Sequence, residues 1–215
     1  MSKVGEHIFL GEIEANPQPG PYADAIAAAK KAGTEYWGIW NLLAFHPTAS
    51  FHLCELSHEL MFREAPISPA LRELIAAYTS SLNRCDFCMN AHAAVAAHLY
   101  SSKDFVWSVL KDPEGSALTD KEKGLLRFVR KLTLDPGSIT QSDTHTLQLA
   151  CWEDASIFYT IAVCALFNYY NRFVSGNGVK MVSEQAFETL GARMAKAGYS
   201  REHPLTNKQK AASDA

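Results

Sequence analysis

Helix-start signals recur along the whole chain, while the alternation that a β-strand requires is confined to residues 7–13. Proline stands at the first position of candidate helices at Pro21 and Pro47, and again at Pro69 behind the cap residue Ser68. A proline there loses nothing, because its missing N–H would be unpaired in any case. Thr119 followed by Glu122 forms a capping box, and Thr140 with Asp143 repeats the device with a shorter acid. Leu71, Leu74, Ile75, Tyr78 and Leu82 then recur at helical spacing. The pattern predicts an all-α protein, with helices over 21–33, 35–45, 47–62, 68–82, about 85–101, 101–112, 119–134, a short one from 140, 152–174 and 183–198. In 47–62, Phe51, Cys54, Leu56 and Met61 lean toward one apolar side. Asn83-Arg84 reads as a break between two helices.

A chain of 215 residues with 47% hydrophobic content suits one domain with a sizeable core. The expected organisation is an extended arm over 1–20 and a single all-α domain over 21–198, whose central portion spans about 47–101. A polar, flexible tail follows over 199–215. A net charge of −3 and the lack of a dense Lys/Arg run argue against nucleic acid and anionic membrane surfaces as partners. The most apolar stretch, residues 155–167, is too short to span a bilayer. The 5 cysteines (54, 85, 88, 151, 164) form an odd set, and the first residues lack a signal-peptide core. A cytoplasmic location follows as the expectation, and there a CxxC pair more often means redox work or metal binding than a structural disulfide.

The segment LNRCDFCMNAH, residues 82–92, carries that pair. Cys85 falls at a helix start, where unpaired N–H groups and the dipole favour a thiolate. Cys88 lies one turn on, and His92 four residues beyond it on the same face. A dithiol with a base beside its inner sulfur suits attack on a peroxide or a disulfide, and the second sulfur can then close a disulfide and stop over-oxidation. Glu73 sits among leucines in the preceding helix. It either reaches the cysteines as a proton-passing acid or points outward to solvent. Zinc is the main alternative, with Cys85, Cys88, His92 and either His98 or Glu73 as ligands, although no second CxxC exists. A packed, inert pair is the other, as Cys54, Cys151 and Cys164 read singly. His52, Glu55 and Glu59 share a helix face that suits solvent or a metal. Trp152, Phe158, Phe167, Tyr169, Tyr170 and Phe173 read as core and subunit-contact residues. Asn168, Asn171 and Arg172 read as capping and interface groups, with a place in the site as the lesser reading. Walker, GxSxG, HExxH and GxGxxG motifs are absent from the sequence.

Glu73, eleven intervening residues, Cys85-Asp86-Phe87-Cys88 and His92 together resemble the E-x11-CxxC-x3-H signature of the alkyl hydroperoxidase D-like branch of the carboxymuconolactone decarboxylase family. SPALRELIAAYTSSLNRCDFCMNAHAAVA is similar along its length, and LTDKEKGLLRFVRKLT and ALFNYYNRFVSGNGV resemble the distal half of a peroxidase-related subgroup. The resemblance covers roughly 35–180. It implies a helical bundle whose helices pack between subunits, as dimers, trimers or hexamers. It implies a cofactor-free and metal-free thiol oxidoreductase acting on hydroperoxides and reduced by a dithiol or lipoyl-type partner. Cys88 would be the buried sulfur that meets the peroxide. Cys85 would be the more accessible, resolving one, with Glu73 and His92 as proton relay. An extra relay histidine of the best-studied branch is replaced here by Phe87. A lactone decarboxylase and a non-catalytic thiol or zinc-binding interaction protein are the other functions in view.

Overall fold

The computed structural model describes residues 5–199. In chain order the helices are α1 (Gly11–Ala15), α2 (Pro21–Ala32), α3 (Ile39–Phe45), α4 (Pro47–Met61), α5 (Pro69–Leu82), α6 (Asp86–Tyr100), α7 (Lys103–Lys111), α8 (Asp120–Leu134), α9 (Gln141–Leu149), α10 (Asp154–Gly176) and α11 (Glu184–Ala197), with a 3-10 turn at Pro136–Ser138 between α8 and α9. The described residues contain no strand, and the all-α expectation holds. Ser68 accepts from the Leu71 N–H at 3.2 Å, and the capping boxes at Thr119 and Thr140 both form.

The centre of the molecule is the α5–α6 hairpin. α10 crosses α5, α8 lies behind it, and α7 and α11 lie along α6. Every residue from Leu71 to Ser80 is buried. A helix enclosed on all sides must also bury its polar side chains, and Arg72, Glu73, Thr79 and Ser80 are therefore inside. The core joins Leu74 and Ile75 to Ala96, Val106, Val109, Leu125, Val129, Val163 and Phe167. Each large apolar side chain buried there contributes about 1.5–3 kcal/mol. Arg72 is accommodated because its guanidinium donates to the Leu60 and Arg63 carbonyls, at 2.9 and 2.8 Å, at the end of α4. A cation is favourable at that negative end of a helix dipole. α11 approaches α6 closely at Gly191, where a Cβ would lie 2.9 Å from the Ala94 Cβ.

Several expectations are corrected. α3 begins at Ile39, not at residue 35, because Tyr36 and Trp37 are placed ahead of it as buried aromatic anchors. Leu56 is 50% exposed, and α4 instead buries Ser50, Cys54, Ser57, His58 and Met61. Ser57 can be buried because it donates to Leu53 O at 2.7 Å and lies 2.8 Å from the Tyr170 hydroxyl. The N-terminal arm is not extended throughout. It contains α1, buries Ile8, and pairs with the loop after α10 through Phe9 N–H to Asn177 O and Lys180 N–H to His7 O. Phe167 and Tyr170 are core residues, whereas Phe158 and Tyr169 lie on the surface of the chain.

Candidate active site

The hairpin turn sets the position of the two cysteines. α5 ends in a Schellman arrangement: Cys85 N–H donates to Ser80 O at 3.0 Å and Arg84 N–H to Ser81 O at 3.0 Å. Arg84 takes the left-handed conformation, φ 54°, that glycine usually supplies; for an L-residue this costs about 1–2 kcal/mol. The turn makes Cys85 both the residue that closes α5 and the N-cap of α6. Cys88 follows in the first turn of α6.

Both cysteines are free and both are buried, at 3% and 4% exposure. The greater accessibility expected of Cys85 is therefore not found within one chain, because α10 and the hairpin enclose it. The Cys85 thiol is brought down to about 6, chiefly by the Cys88 thiol facing it; burial opposes the shift, and the Cys88 amide, Ser175 and Asn171 assist. Cys88 is pushed well above its ordinary value by the same contact, with burial and the negative charge on Cys85 adding to it. The contact between the two thiols, in which Cys88 keeps the shared proton, thus makes Cys85 the sulfur that ionises first. Asn171, expected mainly to cap and bridge, is 2% exposed and faces both sulfurs. Its amide is oriented by Asn83 Nδ2, which donates to Asn171 Oδ1 at 2.9 Å, and its own Nδ2 donates to Ser80 Oγ at 2.8 Å.

Glu73 points inward. Its Oε2 lies 2.7 Å from His92 Nδ1, and its Oε1 accepts from the Tyr199 hydroxyl at 2.5 Å. Tyr199 Oη also lies 3.2 Å from His92 Nδ1, and its ring is parallel to the imidazole to within 6°. Burial and the adjacent Glu73 carboxyl push the Tyr199 phenol well up, so it remains a donor. His92 directs Nδ1 at Glu73, not at Cys88. It meets Cys88 as a neighbour on the wall of one cavity.

That cavity has a volume of about 80 Å³ and is walled largely by aromatic rings, among them Trp37, Trp40, Phe87 and Tyr170, with Cys88, His92, Arg193 and Tyr199 among its polar members. Cys85 is not on its wall. Phe87 packs edge-on to Trp37 at 5.9 Å and against Phe187 at 5.6 Å, so the position read as a lost relay histidine is an apolar wall element. Cys54 faces the same cavity, with the Tyr22 hydroxyl 3.0 Å from its sulfur. Cys164 is a core residue, and Cys151 is exposed. No ligand set for zinc forms around the CxxC: among the described residues, the one group of three candidate ligands within 4.8 Å of one another is Glu6, His7 and Glu14.

The four residues singled out in the sequence therefore converge, Cys85 behind Cys88 and His92 on Glu73. Tyr199, grouped in the sequence with the polar tail, joins them; residues 200–215 lie outside the described residues. The signal for Tyr199 was an aromatic directly after a helix-ending glycine, where a side chain commonly folds back on its helix. No helix among the described residues is long and apolar enough to cross a membrane.

Residues 50–128 match the carboxymuconolactone decarboxylase family. None of the curated proteins matches the sequence. An uncharacterized peroxidase-related protein from Silicibacter sp. TM1040 superposes with a TM-score of 0.74 at 24% identity, covering 86% of this chain and 97% of that one. The alkylhydroperoxidase AhpD core of an uncharacterized peroxidase-related protein from Ralstonia eutropha JMP134 gives 0.67 at 21% identity, covering 84% and 93%. A protein of unknown function from Agrobacterium tumefaciens, associated by name with AhpD and antioxidant defence, gives 0.59 at 20%, covering 66% and 97%. At these identities the likeness is one of fold. Residues 50–128 thus carry the carboxymuconolactone decarboxylase match, and the chain as a whole shares its all-α fold with these peroxidase-related structures.

Proposed function

We propose that the protein is a thiol-dependent hydroperoxide reductase in which Cys88 is oxidised and Cys85 resolves it. The observation that carries this reading is the asymmetry of the pair: Cys88 shares the cavity wall with His92, while Cys85 lies behind it as the more acidic thiol. In the resting pair, Cys85 is the thiolate and Cys88 holds the proton. As a peroxide enters, the Cys88 proton passes to His92 Nε2, and the Cys88 sulfur attacks the terminal oxygen. The O–O bond breaks, giving a sulfenic acid on Cys88 and an alkoxide, which takes that proton back from His92 and leaves as alcohol. The Cys85 thiolate then attacks the Cys88 sulfur. The disulfide forms and the hydroxide that leaves takes a proton from solvent to become water. A dithiol or a lipoyl-type carrier returns two electrons and two protons.

The aromatic wall favours an organic hydroperoxide with an apolar substituent over hydrogen peroxide. The same reading assigns the exposed Phe158 and Tyr169, eleven residues apart and so on one face of α10, to contact between subunits; sedimentation equilibrium measures this. The functional test is consumption of an organic hydroperoxide with dithiothreitol or dihydrolipoamide as reductant. The expected result is turnover that Cys88→Ser reduces by at least about a thousandfold. A wild-type rate equal to that of the Cys85→Ser/Cys88→Ser double variant would contradict the assignment.

A further inference from the structure

Tyr199 reaches the site from the far end of the described chain and takes the one carboxylate oxygen that His92 leaves. Each oxygen of Glu73 has a partner: His92 Nδ1 lies against Oε2, and Oε1 accepts from the hydroxyl of Tyr199. Its ring lies flat to the imidazole and on the wall of the cavity that holds Cys88. Two further features fix it there. Its backbone N–H donates to His58 Nδ1 at 3.2 Å. The preceding Gly198 has φ 68° and ψ −154°, and a Cβ there would lie 2.6 Å from His58 Nδ1 and 2.7 Å from Phe62 Cγ. Only glycine tolerates both that backbone conformation and that approach. The end of α11 is thus built to deliver one hydroxyl to a buried carboxylate.

We infer that Tyr199 is a positioning residue of the relay, holding the Glu73 carboxylate so that His92 keeps its proton on Nδ1 and presents Nε2 unprotonated. A carboxylate with one free oxygen can rotate and accept from either imidazole tautomer. One with both oxygens engaged accepts along a single direction. The phenol is a fixed donor at neutral pH, because ionising it beside Glu73 would bury two like charges together. Tyr199 adds a third polar member to a relay whose other flank, at Phe87, is apolar.

The inference rests on the relay reading above, and its test separates the two. In the full chain, long-range ¹H–¹⁵N correlation of the histidine rings, with His92 assigned from His92→Gln, should show one Nδ1–H tautomer. Tyr199→Phe keeps the ring and removes the donor, and should give averaged tautomers. Gly198→Ala keeps the hydroxyl but displaces it, and should give the same averaging. With hydroperoxide as substrate, Tyr199→Phe should lower kcat by about tenfold or more at little-changed KM, as expected for loss of a hydrogen bond to a charged group. A His92 signal unchanged in both variants overturns the inference, whatever the turnover. Averaged tautomers in both variants of a protein that consumes no peroxide uphold it and remove the peroxidase reading instead.

Discussion

Among the described residues, two Tyr–His–Glu clusters share the same contacts at the histidine Nδ1. In one, His7 Nδ1 lies 2.8 Å from Glu14 Oε1 and 3.4 Å from the Tyr36 hydroxyl, with the Tyr36 ring stacked on the imidazole. In the other, His92 Nδ1 lies 2.7 Å from Glu73 and 3.2 Å from the Tyr199 hydroxyl, again with stacked rings. They differ in what else the carboxylate does. Glu14 Oε2 accepts the amide N–H groups of His7 and Ile8, so the cluster clamps the N-terminal arm. Glu73 binds no amide in this way; its second oxygen is held by Tyr199, and the histidine it orients lines a cavity beside a thiol. A set of residue types therefore does not define a relay. The role is decided by which groups remain free after the structural hydrogen bonds are formed.

Paired substitutions can break this comparison. Glu73→Gln should lower hydroperoxide turnover by roughly a hundredfold, the scale of a proton-transfer contribution, while Glu14→Gln should leave it unchanged. Equal losses in steady-state assays would mean that the two clusters are not functionally distinct. A smaller effect concerns the thiol pair. Because the Cys85 value is depressed, its thiolate is present above about pH 6 and is lost as pH falls through that value. Removing the principal cause in Cys88→Ala should move the midpoint of Cys85 alkylation upward by about one unit or more, toward an ordinary thiol. Iodoacetamide rates measured in a Cys151→Ser background, which removes the exposed thiol, provide the check. The smallest effect should belong to the clamp. Burial pushes the Glu14 carboxyl up, but the His7 ring and the His7 and Ile8 amides outweigh it and hold it below its ordinary value. Its contribution is thus present above the ordinary carboxylate range and lost as pH falls through the lowered value. Glu14→Gln should destabilise the fold by about 1–3 kcal/mol in urea titrations at neutral pH.

The helices were legible because their starts carry local chemistry. Ser68, Thr119, Thr140 and Ser183 each cap in the way their spacing indicates. Their ends were less legible, since Arg84, Ser101 and Cys151 adopt positive φ without the glycine that would mark them. Glu73, Cys85, Cys88 and His92 could be named from spacing along two neighbouring helices. Whether Glu73 faced inward could not, because that depends on α8 and α10 enclosing α5 from parts of the chain far away in sequence. Arg72 was invisible for the same reason: its partners are carbonyls at the end of another helix. Tyr199 was hidden by its setting before a polar stretch, and the order of acidity in the thiol pair became definite only with both sulfurs, Asn171 and Ser175 in place.

The most direct measurement is mass mapping of the reduced full chain, carrying Cys151→Ser, after one equivalent of an organic hydroperoxide. The account predicts a disulfide joining Cys85 to Cys88 in that protein and a trappable sulfenic acid on Cys88 when Cys85→Ser is added. Unmodified thiols, or a sulfenic acid that forms on Cys85 in Cys88→Ser and never on Cys88, would contradict it.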